Sequence, residues 1–296
     1  MNYTKEYSNF LEQFLVAPTK IRVLFDLSNG STEPTIKELF GDKESIEAIF
    51  INDNMDGNFP GHGPNPLDNR VAGFMQEAIA QKKADLGIVF DGDGDRVFFF
   101  DNLGASIDSY EAFNFMKGYF KAPYILDVRA LHKFTMPEED IVETKVGRYF
   151  IPQSMRENNA EFGAEYTGHF YFKNFFYVDS GILASIYMIN YLSNIKGRGK
   201  TLSDMRETAS IVKLPETNFS IESPRDAIFK VQQYFDHEDG VELETMDGVT
   251  AYGKDFALNI RASETEPVVR FTLAAKDNDT LAEIFKKTKK IIGINE

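Results

Sequence analysis

Residues 84–96 read ADLGIVFDGDGDR, an apolar run followed at once by an acidic turn. A short apolar run bounded by turn residues predicts a buried strand over its first seven residues. Similar runs at residues 21–27 and 47–51 predict further strands, with helices near residues 34–40 and 67–83. Strands that alternate with helices predict a parallel or mixed α/β sheet, in which ligands bind beyond the carboxyl ends of the strands. The acidic turn falls at such an end.

Two further segments follow the first α/β unit, which we place at residues 1–105. Residues 106–212 repeat the alternation of helices and strands and predict a second α/β domain. Residues 213–296 combine two predicted helices with strand-like runs that are neighbours in sequence, which predicts an α+β domain. The predicted fold is therefore two related α/β domains with mixed sheets, followed by a C-terminal α+β domain.

Composition excludes several classes of function. The chain has 296 residues, 43% of them hydrophobic, and a net charge of −14, so it lacks the basic face that nucleic acids and anionic membranes require. It has no Cys, which excludes disulfides, thiolate zinc sites and cysteine nucleophiles. The longest apolar helix pattern, residues 181–192, is shorter than the roughly 20 residues of a membrane span. We expect a cytoplasmic protein without nucleic-acid or membrane partners.

The acidic turn carries the strongest chemical signal. Asp91, Asp93 and Asp95 alternate with glycines, and carboxylates this close repel one another unless a cation neutralises them. Hard oxygen ligands favour Mg²⁺ completed by a phosphate, whereas a calcium EF-hand would need glycine at Arg96 and glutamate at Asn102. A solvated acidic turn is the alternative. Arg96 either pairs with these carboxylates or faces a phosphate bound to the metal, and spacing does not separate the two.

Three other segments could bind parts of a phosphorylated sugar. The loop RASETEPVVR at residues 261–270 has arginines and hydroxyls suited to phosphate, or it is a charged loop held by its own ion pairs. Residues 163–169, GAEYTGH, could hydrogen-bond sugar hydroxyls or form an ordinary turn. Residues 144–148, TKVGR, could contact an anion at a helix start or form a plain basic helix start.

Taken together, DGDGDR, TKVGR, GAEYTGH and RASETEP occur in an order and spacing that resemble the phosphomannomutase/phosphoglucomutase (α-D-phosphohexomutase) family. Residues 56–66, DGNFPGHGPNP, also resemble that family's loop before the metal-bearing strand. The resemblance implies three related α/β domains and a C-terminal α+β domain like the TATA-box-binding protein. The present segments match the second, third and fourth of these domains.

The resemblance also implies roles for individual residues. The implied Mg²⁺ ligands are Asp91, Asp93 and Asp95. The implied positively charged groups near the reacting phosphate are Arg96, Arg129 and Arg148. The implied contacts of the sugar hydroxyls are Glu165 and Thr167, in a loop completed by His169. The implied clamp on the phosphate that does not move is formed by Arg261, Ser263, Thr265 and Arg270.

The sequence departs from the family at several of these positions. Thr167 replaces the usual Ser, and Glu264 stands where Asn or Gly is usual and would oppose a phosphate. Arg129 and Arg148 occupy positions that carry Lys or His in some members, and Arg is too basic to accept a proton, so the general base stays open. The family's phosphoserine motif, Thr-Ala-Ser-His-Asn-Pro, does not occur, which implies that the first domain is absent.

The resemblance implies a Mg²⁺-dependent mutase that interconverts mannose or glucose 1- and 6-phosphates through a bisphosphate. The first domain would be truncated from this sequence, encoded separately or lost, and a separately encoded serine-bearing domain would complete the enzyme in trans. The alternative is a non-catalytic protein that binds sugar phosphates. A haloacid-dehalogenase-type phosphatase is a third hypothesis, but its motif requires Thr or Val where Asp95 stands.

Overall fold

The computed structural model describes residues 2–137, 140–206, 211–263 and 266–294, with the backbone alone for Asn69. The helices are α1 (Tyr3–Glu12), α2 (Glu33–Phe40), α3 (Asn69–Lys82), α4 (Ser109–Met116), α5 (His132–Thr135), α6 (Phe150–Glu157), α7 (Gly181–Lys196), α8 (Leu202–Met205), α9 (Pro224–Asp236) and α10 (Asn278–Ile291). The strands are β1 (Ile21–Asp26), β2 (Ile46–Ile51), β3 (Leu86–Phe90), β4 (Val97–Phe100), β5 (Ser106–Ile107), β6 (Tyr124–Asp127), β7 (Ile141–Thr144), β8 (Phe162–Ala164), β9 (Phe170–Phe172), β10 (Val178–Asp179), β11 (Val212–Ser220), β12 (Glu242–Glu244), β13 (Val249–Tyr252), β14 (Phe256–Ala262) and β15 (Val268–Ala275).

The chain divides into two compact units, Met1–Ala122 with Asn159–Arg206, and Pro123–Asn158 with Glu207–Glu296. A mixed sheet of order β2-β1-β3-β4-β5 organises the first unit. β1 runs parallel to β2 and β3, whereas β4 is antiparallel to β3 and β5. Every residue of β3 is buried, as the apolar run predicts. The acidic turn joins the carboxyl end of β3 to the start of β4.

A second set of strands in the first unit flanks residues 165–169, for which the sequence predicts contacts with sugar hydroxyls. β8 and β9 form an antiparallel pair, and β9 also pairs with β10. Aromatic packing holds this hairpin, since the Phe162 ring on β8 stacks on Phe113 and Phe120 and on Phe172 of β9. α7 is buried along almost its whole length, and Ser180 caps it by accepting the Leu183 N–H. The loop between β8 and β9 is thereby fixed at both ends.

The second unit contains the parallel pair β6 and β7 and a fully antiparallel sheet of order β11-β15-β14-β13-β12. α9 and α10 pack on this sheet around a core that includes Phe235, Phe271 and Ile284. Helices over an antiparallel sheet confirm the α+β segment, and the mixed sheet of the first unit confirms the α/β class. The three domain boundaries remain a prediction.

The first residues of α2 and α3 can be compared with the starts that the sequence pattern predicts. α3 begins at Asn69 rather than residue 67, because the Asp68 carboxylate accepts the Arg70 N–H. α2 has Pro34 in its first turn, as predicted, although the Thr32 side chain makes no capping hydrogen bond. Within the described ranges, none of the helices has both the length and the apolar character needed to cross a membrane.

Candidate functional site

The acidic turn, residues 91–96, is tight, and we call it the metal loop after its predicted role. Asp91, Asp93 and Asp95 each offer one carboxylate oxygen, and these oxygens lie within 4.8 Å of one another. Gly94 has a φ of +79°, and a Cβ there would lie 2.1 Å from the Thr32 Cγ2, so the turn requires glycine. Three converging carboxylate oxygens suit a hard divalent cation. The donor set therefore fits Mg²⁺, as the sequence predicts.

Asp91 is the buried member of the three. Its Oδ1 accepts the Gly94 N–H at 2.9 Å and the Arg96 N–H at 3.2 Å, and its Oδ2 accepts the Arg96 Nε–H at 2.7 Å. Burial raises the pKa of Asp91 to about 6, although the Arg96 guanidinium acts in the opposite direction. Of the two interpretations of Arg96, the structure shows the ion pair with the metal loop.

The sugar loop, residues 165–169, lies directly beside the metal loop in the first unit. Arg96 and His169 form an antiparallel bridge, and the Val97 N–H donates to the Gly168 carbonyl at 3.1 Å. The His169 Nε2 lies 3.5 Å from the Asp95 Oδ1. Backbone pairing thus brings together two segments that are about 70 residues apart in sequence, as expected where strand ends meet.

Inside the sugar loop the side chains are ordered by short contacts. The buried Glu165 accepts a hydrogen bond from the Tyr171 hydroxyl at 3.2 Å. The Thr167 hydroxyl lies 3.1 Å from the His169 Nδ1. A carboxylate, a hydroxyl and an imidazole therefore share one short loop, which is a set suited to hydrogen-bonding vicinal hydroxyls of a sugar.

Sequence reasoning missed Asp179. Its Oδ2 lies 3.8 Å from the His169 Nε2, and Asp95, His169 and Asp179 form a second group of ligand atoms within 4.8 Å of one another. Asp179 ends β10 immediately before the cap of α7, much as Asp91 follows β3. An acidic residue at a strand end is the signal that could have found it.

In the second unit, three arginines converge on Glu216. Its Oε2 accepts from Arg261 at 3.1 Å and from Arg129 at 3.4 Å, and its Oε1 accepts from Arg270 at 3.4 Å. A bulge in β11 between Leu214 and Thr217 places Glu216 there. The sequence predicts Arg129, Arg261 and Arg270 as site residues but gives no sign of the carboxylate that joins them.

The arginine cluster also includes the carboxylate of Asp127. Arg129 is buried, and its guanidinium donates to Asp127 from Nε at 2.8 Å and from Nη2 at 3.2 Å. Among the residues that the structure describes, the buried Nε–H groups of Arg261 and Arg270 have no hydrogen-bond partner. The cluster can therefore accept an anion.

Three of the predicted site residues remain, Arg148, Ser263 and Thr265. Arg148 is exposed in the turn between β7 and α6. Ser263 follows β14, and its N–H donates to the Val268 carbonyl at 3.0 Å, which turns the chain from β14 into β15. Thr265, and Glu264 beside it, lie outside the described residues.

The chain is similar to known proteins over most of its length. Residues 2–104 match the family model described as phosphoglucomutase/phosphomannomutase, alpha/beta/alpha domain II, and residues 132–210 match domain III. A phosphomannomutase of Methanocaldococcus jannaschii is 32% identical over 307 residues, with 99% of this chain and 66% of that protein covered. A phosphomannomutase of Escherichia coli K12 is 30% identical, with 91% and 62% covered.

A solved structure of a phosphoglucomutase/phosphomannomutase family protein from Burkholderia thailandensis superposes with a TM-score of 0.81 at 25% identity. The match covers 99% of this chain and 65% of that one. The chain thus spans between 62% and 66% of the length of these three proteins.

Proposed function

The chain belongs to the phosphoglucomutase/phosphomannomutase family, and from this premise we propose that it acts as a Mg²⁺-dependent phosphohexomutase on mannose or glucose 1- and 6-phosphates. One observation supports this above the others. The carboxylates of Asp91, Asp93 and Asp95 converge in the metal loop. A backbone bridge between Arg96 and His169 joins this loop to the sugar loop within one unit. A metal site next to a sugar-binding loop is what transfer of a phosphoryl group to and from a sugar requires.

The residues of the first unit have distinct roles in this proposal. Asp91, Asp93 and Asp95 hold the ion, and bound Mg²⁺ would stabilise charge on the phosphoryl group as a Lewis acid. Arg96, fixed by Asp91, keeps a guanidinium beside the same loop. A guanidinium in this position favours a phosphoryl oxygen nearby.

Sugar recognition in this proposal falls to Glu165 and Thr167. The Tyr171 hydroxyl holds the Glu165 carboxylate, and His169 lies beside the Thr167 hydroxyl, so both acceptors are ordered before a sugar binds. Ordering in advance reduces the entropy lost on binding. A loop of this kind fits the hydroxyls of either mannose or glucose.

The arginine cluster of the second unit supplies anion binding. We assign the phosphate that does not move to Arg261 and Arg270, with Ser263 and Thr265 as hydroxyl donors. The free Nε–H groups of the two arginines support this assignment within the described residues. A phosphate presents three acceptor oxygens to such donors.

The phosphoryl carrier of this proposal is a phosphoserine in the motif Thr-Ala-Ser-His-Asn-Pro, which the 296 residues do not contain. We propose that a serine-bearing domain of the family type supplies it. The second candidate function, a non-catalytic protein that binds hexose phosphates, is favoured by Glu264, an acidic residue in the predicted phosphate loop.

Calorimetry and a turnover assay separate the two candidates. Both predict that mannose 6-phosphate binds in the presence of Mg²⁺ and that Glu165→Gln weakens this binding, because a carboxylate acceptor for sugar hydroxyls is lost. Glu157→Gln, at the exposed end of α6, is the matched control. Interconversion after addition of a phosphorylated serine-bearing domain supports the mutase. Binding without turnover at any ratio of the two chains would select the second candidate.

A further inference from the structure

Residues 59–64, FPGHGP, lie against the metal loop, although the proposed function assigns them no role. The Gly92 N–H, between the first two aspartates of that loop, donates to the Pro64 carbonyl at 3.1 Å. A Cβ on Gly92 would lie 3.2 Å from the Pro64 Cβ and 3.3 Å from the Phe59 ring. The segment 59–64 therefore packs directly on the backbone that connects two predicted metal ligands.

The turn after β1 holds the same part of the loop from a second side. The Ser31 N–H donates to the Gly92 carbonyl at 3.0 Å, and the Ser28 hydroxyl donates to the Phe90 carbonyl at 2.5 Å. Both backbone polar groups of Gly92 are thus bonded to segments outside the metal loop. The orientation of its two flanking peptide groups is set by those segments.

His62 connects the two supporting segments through Asp26. The His62 Nε2 lies 3.0 Å from the Asp26 Oδ2, and both residues are buried. Asp26 is the last residue of β1, and its Oδ1 also accepts the Ser28 N–H at 2.9 Å. One buried carboxylate is therefore bonded both to the turn after β1 and to the segment 59–64. Removing a partner from such a group carries a desolvation cost, so the arrangement is strongly favoured.

We propose that His62 is a positioning residue for the metal loop. It holds the segment 59–64 so that the Pro64 carbonyl fixes the Gly92 peptide, and with it the separation of Asp91 and Asp93. The inference rests on the Mg²⁺ site of the proposed function. The three carboxylates repel one another in the metal-free loop, so an outside restraint keeps their oxygens converged. Without that restraint, part of the binding free energy of the ion is lost in ordering the loop.

Two measurements on the full chain test this role: Mn²⁺ affinity by electron paramagnetic resonance, and hydrogen exchange at the Gly92 amide by NMR. We expect His62→Ala to weaken Mn²⁺ binding by about tenfold and to speed exchange at Gly92, with exchange in β3 unchanged. His62→Gln, whose amide can still donate to Asp26, should restore both. His237→Ala, at the exposed end of α9, is the matched control and should behave as wild type.

Wild-type Mn²⁺ affinity and wild-type Gly92 exchange in His62→Ala would overturn the proposal. Exchange that rises equally in β3, with unchanged affinity, would also overturn it, because a histidine that merely stabilises the fold gives that result. A wild-type chain that binds no Mn²⁺ would instead remove the metal site on which the inference rests. If His62→Ala does not fold, His62→Phe keeps a ring at this position and removes the hydrogen bond to Asp26. The same two changes are then expected, and their absence counts equally against the proposal.

Discussion

Asp91 combines burial, an ion pair and a predicted role as metal ligand. We expect Asp91→Asn to weaken Mg²⁺ binding on the order of tenfold or more, because the loop loses one of its three negative charges. Isothermal calorimetry measures this affinity directly. Asp42→Asn, an exposed residue just after α2, is the control and should leave the affinity unchanged. An Asp91→Asn protein that binds Mg²⁺ as wild type does would exclude Asp91 as a ligand.

Glu216 offers a second test on a single residue. Glu216→Gln keeps the shape but leaves the three guanidinium groups with one counter-charge fewer, so the free energy of unfolding should fall by about 2 kcal/mol. Urea denaturation measures the change. Added inorganic phosphate should raise the stability of this variant more than that of wild type, since the anion binds only the folded cluster.

Glu222→Gln, exposed in the loop after β11, is the control for that experiment and should unfold as wild type does. Equal stability of Glu216→Gln and wild type would show that the arginines do not depend on this carboxylate. An equal phosphate response in the two proteins would place the anion elsewhere.

These residues show which parts of the site the sequence could predict. The three aspartates of the metal loop are neighbours, so their spacing alone indicated a cation. Glu216 lies 87 residues from Arg129 and 45 from Arg261, and no local periodicity connects such partners. Arg261 and Arg270 were already indicated by the composition of their loop, whereas Arg129 was predicted only through the family resemblance. Asp179 was missed for the same physical reason, because tertiary packing rather than spacing brings it to His169.

At the scale of single elements, the turn that joins β3 to β4 depends on Gly94. Gly94→Ala places a Cβ 2.1 Å from the Thr32 Cγ2 at a φ of +79°, which should cost about 1–3 kcal/mol of stability. It should also weaken Mg²⁺ binding, because the loop must shift. Adding Thr32→Ser removes the clashing methyl group and should restore part of the loss, as thermal unfolding can show. No recovery in the double variant would mean that the backbone conformation alone accounts for the cost.

We expect the stability of the protein to depend on pH through His62 in the segment 59–64. The hydrogen bond to Asp26 raises the pKa of His62, against a smaller opposing effect of burial. Protonated His62 therefore stabilises the fold fully below the ordinary value of 6.5, and this contribution disappears as pH rises through the raised pKa. We expect the melting temperature of wild type to fall relative to that of His62→Gln as the pH rises above 6.5. A difference that stays constant over this range would contradict the assignment.

The positions of the strands and helices along the chain were predicted more completely than the pairing between strands. Apolar runs located β1, β2 and β3, and the alternation of strands and helices indicated the mixed sheet correctly. The antiparallel order of β11 to β15 was not deducible, because β11 pairs with a strand about 50 residues further along the chain. The bulge in β11 that places Glu216 also leaves no pattern in the sequence.

At the scale of the whole molecule, the net charge of −14 contrasts with the local cluster of arginines in the second unit. The net charge of the whole chain disfavours polyanions, yet in the described part of the second unit the guanidinium groups of Arg129, Arg261 and Arg270 converge on Glu216. Binding of an anion is therefore local and depends on a few side chains. In the metal loop of the first unit the charges are reversed, since the converging aspartates favour binding of a cation.

The measurement that tests the central claim most directly is ³¹P NMR of mannose 1-phosphate mixed with this chain, Mg²⁺ and a phosphorylated serine-bearing domain of the family. We expect the signal of mannose 6-phosphate to appear only when all of these components are present and to be lost with Asp91→Asn. A mixture in which both proteins are folded and the sugar phosphate is bound, but no 6-phosphate forms at any ratio, would contradict the assignment of this chain as a phosphohexomutase.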